Sequence, residues 1–276
     1  MNAEGWYPYH AGYGPGMVLL KRSVGDLRQC GIGLSDVHTT GLSYIVFLTP
    51  DGTEVNLYDA IGHGPSTSSS DCAVINDNRG KIFKQRGGAG ITFVSDVDIV
   101  DLLQMQSTST DATTPDPVVY GTLYFPDGGH AAVFNGFITD KWDRHGNKLH
   151  FDYTAPNGQV TRDVASVTDP LGRTYTFDYD YADVATYGTV DRIRFKANNT
   201  LAEQIIRIKY GLYKNNLRSD ISIPTAGIFT QASNPITNSY IRRPITVYLP
   251  NNRTYSFKYS EYGDLASVTQ YISILK

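Results

Sequence analysis

The chain has 276 residues, a formal net charge of −3 and 18% charged residues, with an isoelectric point near 6.0. No basic stripe interrupts this mild acidity, which argues against a nucleic-acid partner, and no apolar run approaches the ~18 residues of a membrane-crossing helix. The 26 glycines, 13 prolines and 20 tyrosines suit many short strands joined by tight turns, in one large β domain or two small ones.

The start, Met1-Asn2-Ala3-Glu4-Gly5-Trp6, has neither a charged n-region nor an apolar h-region, so no signal peptide is visible. Residues 1–46 are rich in Gly and Tyr, and Met17–Leu20 reads as a strand, followed by Leu42–Leu48. Pro50-Asp51-Gly52 is turn chemistry. The next residues alternate, with Val55 and Leu57 on one face. Pro65–Ser70 and Ser107–Pro115 are polar and read as surface loops, and between them Lys81–Phe83 and Ile91–Val94 alternate as strands. Over 96–106, the spacing of Val97, Val100 and Leu103 predicts one short helix at most. Cys30 and Cys72 either form a disulfide or stay as two reduced thiols. Bonded, they would close a loop of about 40 residues, which loop entropy credits with roughly 3–4 kcal/mol. An oxidised pair would fit an exported protein.

From Tyr120 onward the reading is all strands: Val118–Phe125, Ala131–Phe137, Lys148–Tyr153, Val164–Thr168, Thr174–Tyr179, Val190–Phe195, Gln204–Tyr213, Leu217–Ile221, Pro244–Leu249, Thr254–Tyr259 and Leu265–Tyr271 follow one another. Ser222–Asn238 is a polar excursion within an insertion at about 181–244. The sharpest signal is a repeated phrase. Pro170-Leu171-Gly172-Arg173-Thr174-Tyr175-Thr176-Phe177-Asp178-Tyr179 returns, at a constant offset, as Pro250-Asn251-Asn252-Arg253-Thr254-Tyr255-Ser256-Phe257-Lys258-Tyr259. Proline presets φ, and Gly172 or Asn252 tolerates the left-handed backbone of a tight turn. Tyr175, Phe177 and Tyr179 then share one strand face, and Val164–Thr168 supplies the hairpin partner.

Looser copies begin at Pro50, Pro126 and Gly146; the last aligns Phe151 and Tyr153 with Phe177 and Tyr179. Leu265-Ala266-Ser267-Val268-Thr269 repeats Val164-Ala165-Ser166-Val167-Thr168, but Gln270-Tyr271-Ile272 follows where a new turn is expected. The expectation is a piece cut from a longer array; the alternative is a degenerate capping unit. Repetition of this kind points to an architectural role. The chain is divided into a β-rich region over 1–140 and repeat hairpins over 141–276, expected to form one continuous sheet.

The Asp143-Arg144-His145-Gly146-Asn147 lead-in, the Asp169-Pro170-Leu171-Gly172-Arg173 turn and the aromatic strands ending in Tyr resemble YD repeats of the RHS family. Residues 141–180 match closely, 245–269 match well, and the earlier segments have a looser likeness. The resemblance implies an all-β antiparallel hairpin array that spirals into a shell. Such a shell encloses a C-terminal toxic polypeptide or mediates cell-surface contact. The implied partners are the remainder of a longer RHS polypeptide or its toxin cargo, and the implied location is secreted or at the cell surface. The chain has no Asp-Pro-x-Gly-Leu ending of the kind the family uses near its self-cleaving core.

Chemistry-bearing candidates are weak. Asp96, Asp98 and Asp101 lack the glycine and terminal glutamate of a calcium loop and read as solvated acids. Gly12–Gly16 and Gly87–Gly90 lack a phosphate-loop ending and read as turns. His130, His145 and His150 lie near Asp140, Asp143 and Asp152 but read as solvated. No Gly-x-Ser-x-Gly elbow occurs, and no residue is nominated as catalytic, metal-ligating or cofactor-binding. Tyr175, Phe177, Tyr179, Tyr255, Phe257 and Tyr259 read as sheet core or cross-strand ladders. If exposed, they would instead suit a surface glycan. Asp169, Arg173 and Arg253 are expected to bond locally at the turns. A polysaccharide-active enzyme is the remaining alternative, and it needs two carboxylates across a cleft.

Overall fold

In a computed structural model of the chain, the described residues are 14–29, 36–50, 53–62, 78–87, 90–101, 103–105, 119–153, 163–183, 186–196, 201–212 and 242–272. Within them the fold is all-β and antiparallel, with no helix. It divides into two compact units, Pro15–His150 and Phe151–Lys276. Cys30, Cys72, Leu217–Ile221 and Ser222–Asn238 lie outside the described residues.

In the first unit the strands are β1 (Met17–Gln29), β2 (Asp36–Leu48), β3 (Glu54–Asp59), β4 (Asn78–Gln85), β5 (Thr92–Val100), β6 (Leu103–Met105), β7 (Gly121–Tyr124), β8 (His130–Phe134) and β9 (Phe137–Trp142). Among the described residues, successive antiparallel pairings run β1–β2–β3–β4–β5–β7–β8–β9. The Met17–Phe137 pair and a 2.8 Å bond from the Val18 N–H to the Gly136 carbonyl then return the ring to β1. Closure removes the free edges on which other chains could pair. Alternation sends Val18, Ile45, Leu57, Phe83, Phe93, Leu123, Ala131 and Ile138 into a dry core. β6 pairs beside the first residues of β2.

Two expectations need correction here. Residues 96–100 belong to strand β5, so no helix lies there. Val97 is 60% exposed while Phe93, Ser95 and Ile99 are buried. Burial alternates with period two over 92–95 and is interrupted at 96–98, where the β4–β5 register shifts, so the three-residue spacing marks no helix face. Ala131–Phe137 is also not one strand. Asn135 and Gly136, both at positive φ (53° and 79°), make a tight two-residue turn between β8 and β9.

β10 (Lys148–Asp152) crosses the division between the units. The second unit continues with β11 (Ser166–Thr168), β12 (Thr174–Asp183), β13 (Gly188–Phe195), β14 (Gln204–Leu212), β15 (Arg242–Tyr248), β16 (Arg253–Tyr259) and β17 (Leu265–Ile272). Each pairs antiparallel with the next. β13 and β14 lie in this run, where the strands Val190–Phe195 and Gln204–Tyr213 were expected.

Candidate functional surface

The two repeated phrases fold alike. In the first, the Asp169 N–H donates to the Arg173 carbonyl (2.9 Å) and the Gly172 N–H to the Asp169 carbonyl (2.9 Å). In the second, the Leu249 N–H donates to the Arg253 carbonyl (2.8 Å) and the Asn252 N–H to the Leu249 carbonyl (3.2 Å). Gly172 and Asn252 both take left-handed φ, 75° and 62°. This bonding is that of a three-residue hairpin loop ending in a left-handed residue. It recurs at Phe125–Gly129, Asp143–Asn147 and Ser260–Asp264. The last was not read from the sequence, although its Ser-Glu-Tyr-Gly-Asp wording contains the required glycine.

Side chains lock these turns. Asp169 Oδ1 accepts from the Leu171 and Arg173 N–H groups (both 2.9 Å), and Arg173 Nε donates to Asp169 Oδ2 at 2.6 Å. Desolvation works against ionising Asp169, but these donors outweigh it and hold its carboxyl below the usual value. Asp143 is lowered chiefly by the Asn147 side-chain amide, which donates to it at 2.7 Å.

The final tyrosine of each phrase has a matching job. Tyr179 Oη donates to the Val164 carbonyl at 2.7 Å, and Tyr259 Oη donates to the Pro244 carbonyl at 2.7 Å. Both tie their strand to the chain at or just before the preceding strand, and donor and acceptor move together by the offset that separates the two phrases. Burial pushes both phenols above their ordinary value. Tyr153, the corresponding residue of the looser copy, is buried and pushed up by burial too, as Phe151 is buried beside it in sequence. Gly146 occupies the left-handed turn position, φ 84°.

Register carries the alternation across the second unit. Tyr175 and Phe177 stand opposite Phe195 and Ile193, Ile193 opposite Ile206, Ile208 opposite Val247, Val247 opposite Tyr255, and Phe257 opposite Val268. One face is therefore mainly apolar, with Asp191, Gln204 and Gln270 set among these residues. The other shows Thr176, Asp178, Arg192, Arg194, Arg207, Ser256 and Thr269. On it Asp178 Oδ2 accepts from Arg192 Nη2 (2.8 Å) and Arg194 Nε (2.7 Å). The Arg192 guanidinium lies over the Tyr181 ring. The repeat aromatics are half-buried, and Tyr175 stacks on Phe195 at 5.5 Å. They form cross-strand ladders more than a buried core.

The first unit holds charge where none was expected. Asp101 is buried, correcting its reading as a solvated acid, whereas Asp96 and Asp98 are exposed. Arg79, with no exposed surface, donates from Nε to Asp101 Oδ2 at 2.8 Å and also through Nη2, and approaches Asp59 Oδ2 at 3.5 Å. Asp101 Oδ1 accepts from the Ser43 N–H (2.9 Å) and Asp59 Oδ1 from the Gly62 N–H (2.7 Å). An arginine's planar fork suits such a buried set. No local pattern in sequence marks Arg79, because Asp59 and Asp101 reach it from distant points of the chain, one before it and one after.

His150, half-exposed, bonds Asp140 Oδ1 at 2.9 Å, and Lys148 reaches the same oxygen at 3.2 Å. Partial burial disfavours ionised Asp140, but these two donors hold its carboxyl below the ordinary range. His130 is stacked between Tyr124 and Trp142, and the His145 N–H donates to Asp143. Among the described residues no group of three or more His, Cys, Asp or Glu side chains is disposed to hold a metal ion, and no helix is long and apolar enough to cross a membrane.

Comparison with protein-family models finds no match to this chain, and comparison with curated proteins finds no significant one.

Proposed function

We propose that the chain is a non-catalytic β-repeat scaffold. It forms part of an RHS-type wall that encloses a C-terminal toxic or effector polypeptide, or meets a cell surface, in a secreted or surface-borne protein. The observation that carries this reading is the paired construction of the two phrases: same turn bonding, same left-handed position, same tyrosine tie. Selection for a reaction fixes single residues at one site, whereas selection for a wall repeats a building unit. The converging carboxylates of the first unit, Asp59 and Asp101, are buried against Arg79. That is an interior ion cluster, unlike the facing pair a glycosidase needs. The stacking of repeat aromatics on their neighbours favours ladders over a glycan-binding platform.

The partners under this reading are the remainder of a longer RHS polypeptide and its cargo. The test is the reading frame around this segment in its source genome. Further YD wording followed by an unrelated effector domain is the expected result. A frame with no further repeats, coding for an unrelated enzyme, would contradict the proposal.

A further inference from the structure

On the outer side of the first unit, registered pairs set six side chains in one row. Lys84 stands opposite Thr92, Thr92 opposite Tyr124, Tyr124 opposite His130, His130 opposite Trp142, and Trp142 opposite Lys148. The neighbours Phe83, Phe93, Leu123 and Ala131 are fully buried, so alternation turns the row away from the core. Half of the row is filled by its own members. His130 stacks on Trp142 at 4.7 Å and Tyr124 on His130 at 6.1 Å, and Lys148 Nζ lies 5.9 Å from the Trp142 ring centre. Lys148 is also paired with Asp140.

The other half is open. Thr92 is the short side chain of the row, and it stands between Tyr124 and Lys84. Two strand spacings, about 10 Å, separate those two. The row therefore drops into a notch with a hydroxyl floor, a ring wall and a cationic wall. Tyr124 is 46% exposed, although one side of its ring is stacked on His130. Lys84 has Tyr58 on its other side, and the Arg86 guanidinium lies 4.3 Å over the Tyr58 ring. A second cation thus borders the same wall. Both cations are exposed, and among the described residues no carboxylate pairs with either. On β5 the nearest acid to Thr92 is Asp96, four residues along, and Asp127 on the neighbouring loop accepts from the Gly129 N–H at 2.9 Å.

These features select a ligand. A face of C–H bonds suits the negative face of the Tyr124 ring, an anionic group suits Lys84 and Arg86, and hydroxyls suit Thr92. An extended peptide docks through main-chain bonds at a strand edge, but β5 is bonded on both sides here, to β4 and to β7. A single-stranded nucleic acid needs a track of cations beside its stacking rings, and two cations make no track in a chain of net charge −3. We propose that the notch between Tyr124 and Lys84 is a subsite for a hexuronate residue of an acidic polysaccharide, its pyranose ring stacked on Tyr124 and its carboxylate held by Lys84. The inference stands on the first unit alone and does not depend on what the second unit encloses.

The test is calorimetric titration of the full chain with a galacturonate tetramer. Saturable binding is expected. The fully methyl-esterified tetramer keeps the rings and loses the charge, and should bind at least about tenfold more weakly. Tyr124→Ala and Lys84→Gln should each weaken the acid form by a similar factor. Thr92→Phe fills the notch while leaving ring and ammonium in place, and should abolish binding. All three side chains lie on the solvent side of their strands, so each variant should melt with the wild type. Lys84→Gln keeps the length of the side chain and carries the test if a larger change disturbs the fold. Absence of saturable binding by the acid tetramer, equal binding of the ester, or undiminished binding to Thr92→Phe overturns the proposal. Equal or tighter binding of a glutamate or deoxythymidylate oligomer of the same charge overturns it in favour of an acidic peptide or a nucleic acid.

Discussion

The two units treat the same secondary structure in opposite ways. The first closes its strands into a ring and gains a core in which Phe83, Phe93, Leu57 and Ile45 have no exposed surface. The second, over its described residues, lays strands in sequence order with most side chains half-buried. Closure lets a unit draw on burial at roughly 25 cal/mol per Å². An open run must draw on turn locks, ring ladders and hydroxyl ties, each worth about 1 kcal/mol or less. The difference shows why the second unit repeats its wording. Small contributions must recur in register to add up, whereas a dry core accepts any side chains that fill it.

Substitutions should break this contrast in order of size. Phe93→Ala empties a dry core and should cost about 3–5 kcal/mol, whereas Phe177→Ala, half-buried, should cost about 1–2 kcal/mol; urea unfolding of both variants checks the ratio. Arg79→Ala leaves Asp59 and Asp101 buried without their guanidinium and should also cost about 3–5 kcal/mol, again by urea midpoint. At backbone level, a Cβ on Gly121 would collide with the Val94 carbonyl oxygen, while one on Gly172 meets nothing within 4 Å. Gly121→Ala should therefore cost more than Gly172→Val, which carries only the positive-φ penalty of about 1–2 kcal/mol. Equal effects would mean that Gly121 is not pressed against β5.

Legibility in the sequence followed the same division. The turn at 169–173, the strands Thr174–Tyr179 and Thr254–Tyr259 and their partners were readable, because proline, glycine and strict alternation are local signals. The ring was not. Its closing pair, Met17 and Phe137, joins the first strand of the unit to its ninth, and no local pattern encodes such a meeting. β9 was missed because the Asn135-Gly136 turn was absorbed into a single apolar run. Asp101 was misjudged because Arg79, which neutralises it, arrives from another strand. For the repeat tyrosines, alternation located the strand face, but the tie from Tyr179 to the Val164 carbonyl needed the folded hairpin.

The smallest expected effects sharpen the second unit's side of the comparison. Tyr179→Phe and Tyr259→Phe should each cost about 0.5–1.5 kcal/mol; an effect in one and none in the other, by thermal or urea unfolding, would mean the copies are not built alike. Asp169→Asn tests the turn lock by pH. The folded carboxyl lies below its unfolded value of about 3.9, so its contribution is present above that pH and lost as pH falls through the folded value. The wild type should lose stability to the variant's level on acidification below about pH 4, and parallel pH curves for the two proteins would refute the lock.

The central claim is that two distant phrases of one chain build the same antiparallel hairpin. Cross-strand backbone NOEs on the isotope-labelled chain test it most directly. The account predicts matching contacts between Val167 and Tyr175 and between Val247 and Tyr255, with Thr168 opposite Thr174 and Tyr248 opposite Thr254. Contacts shifted by one residue in either hairpin, or sequential helical contacts through Thr174–Tyr179 or Thr254–Tyr259, would contradict it.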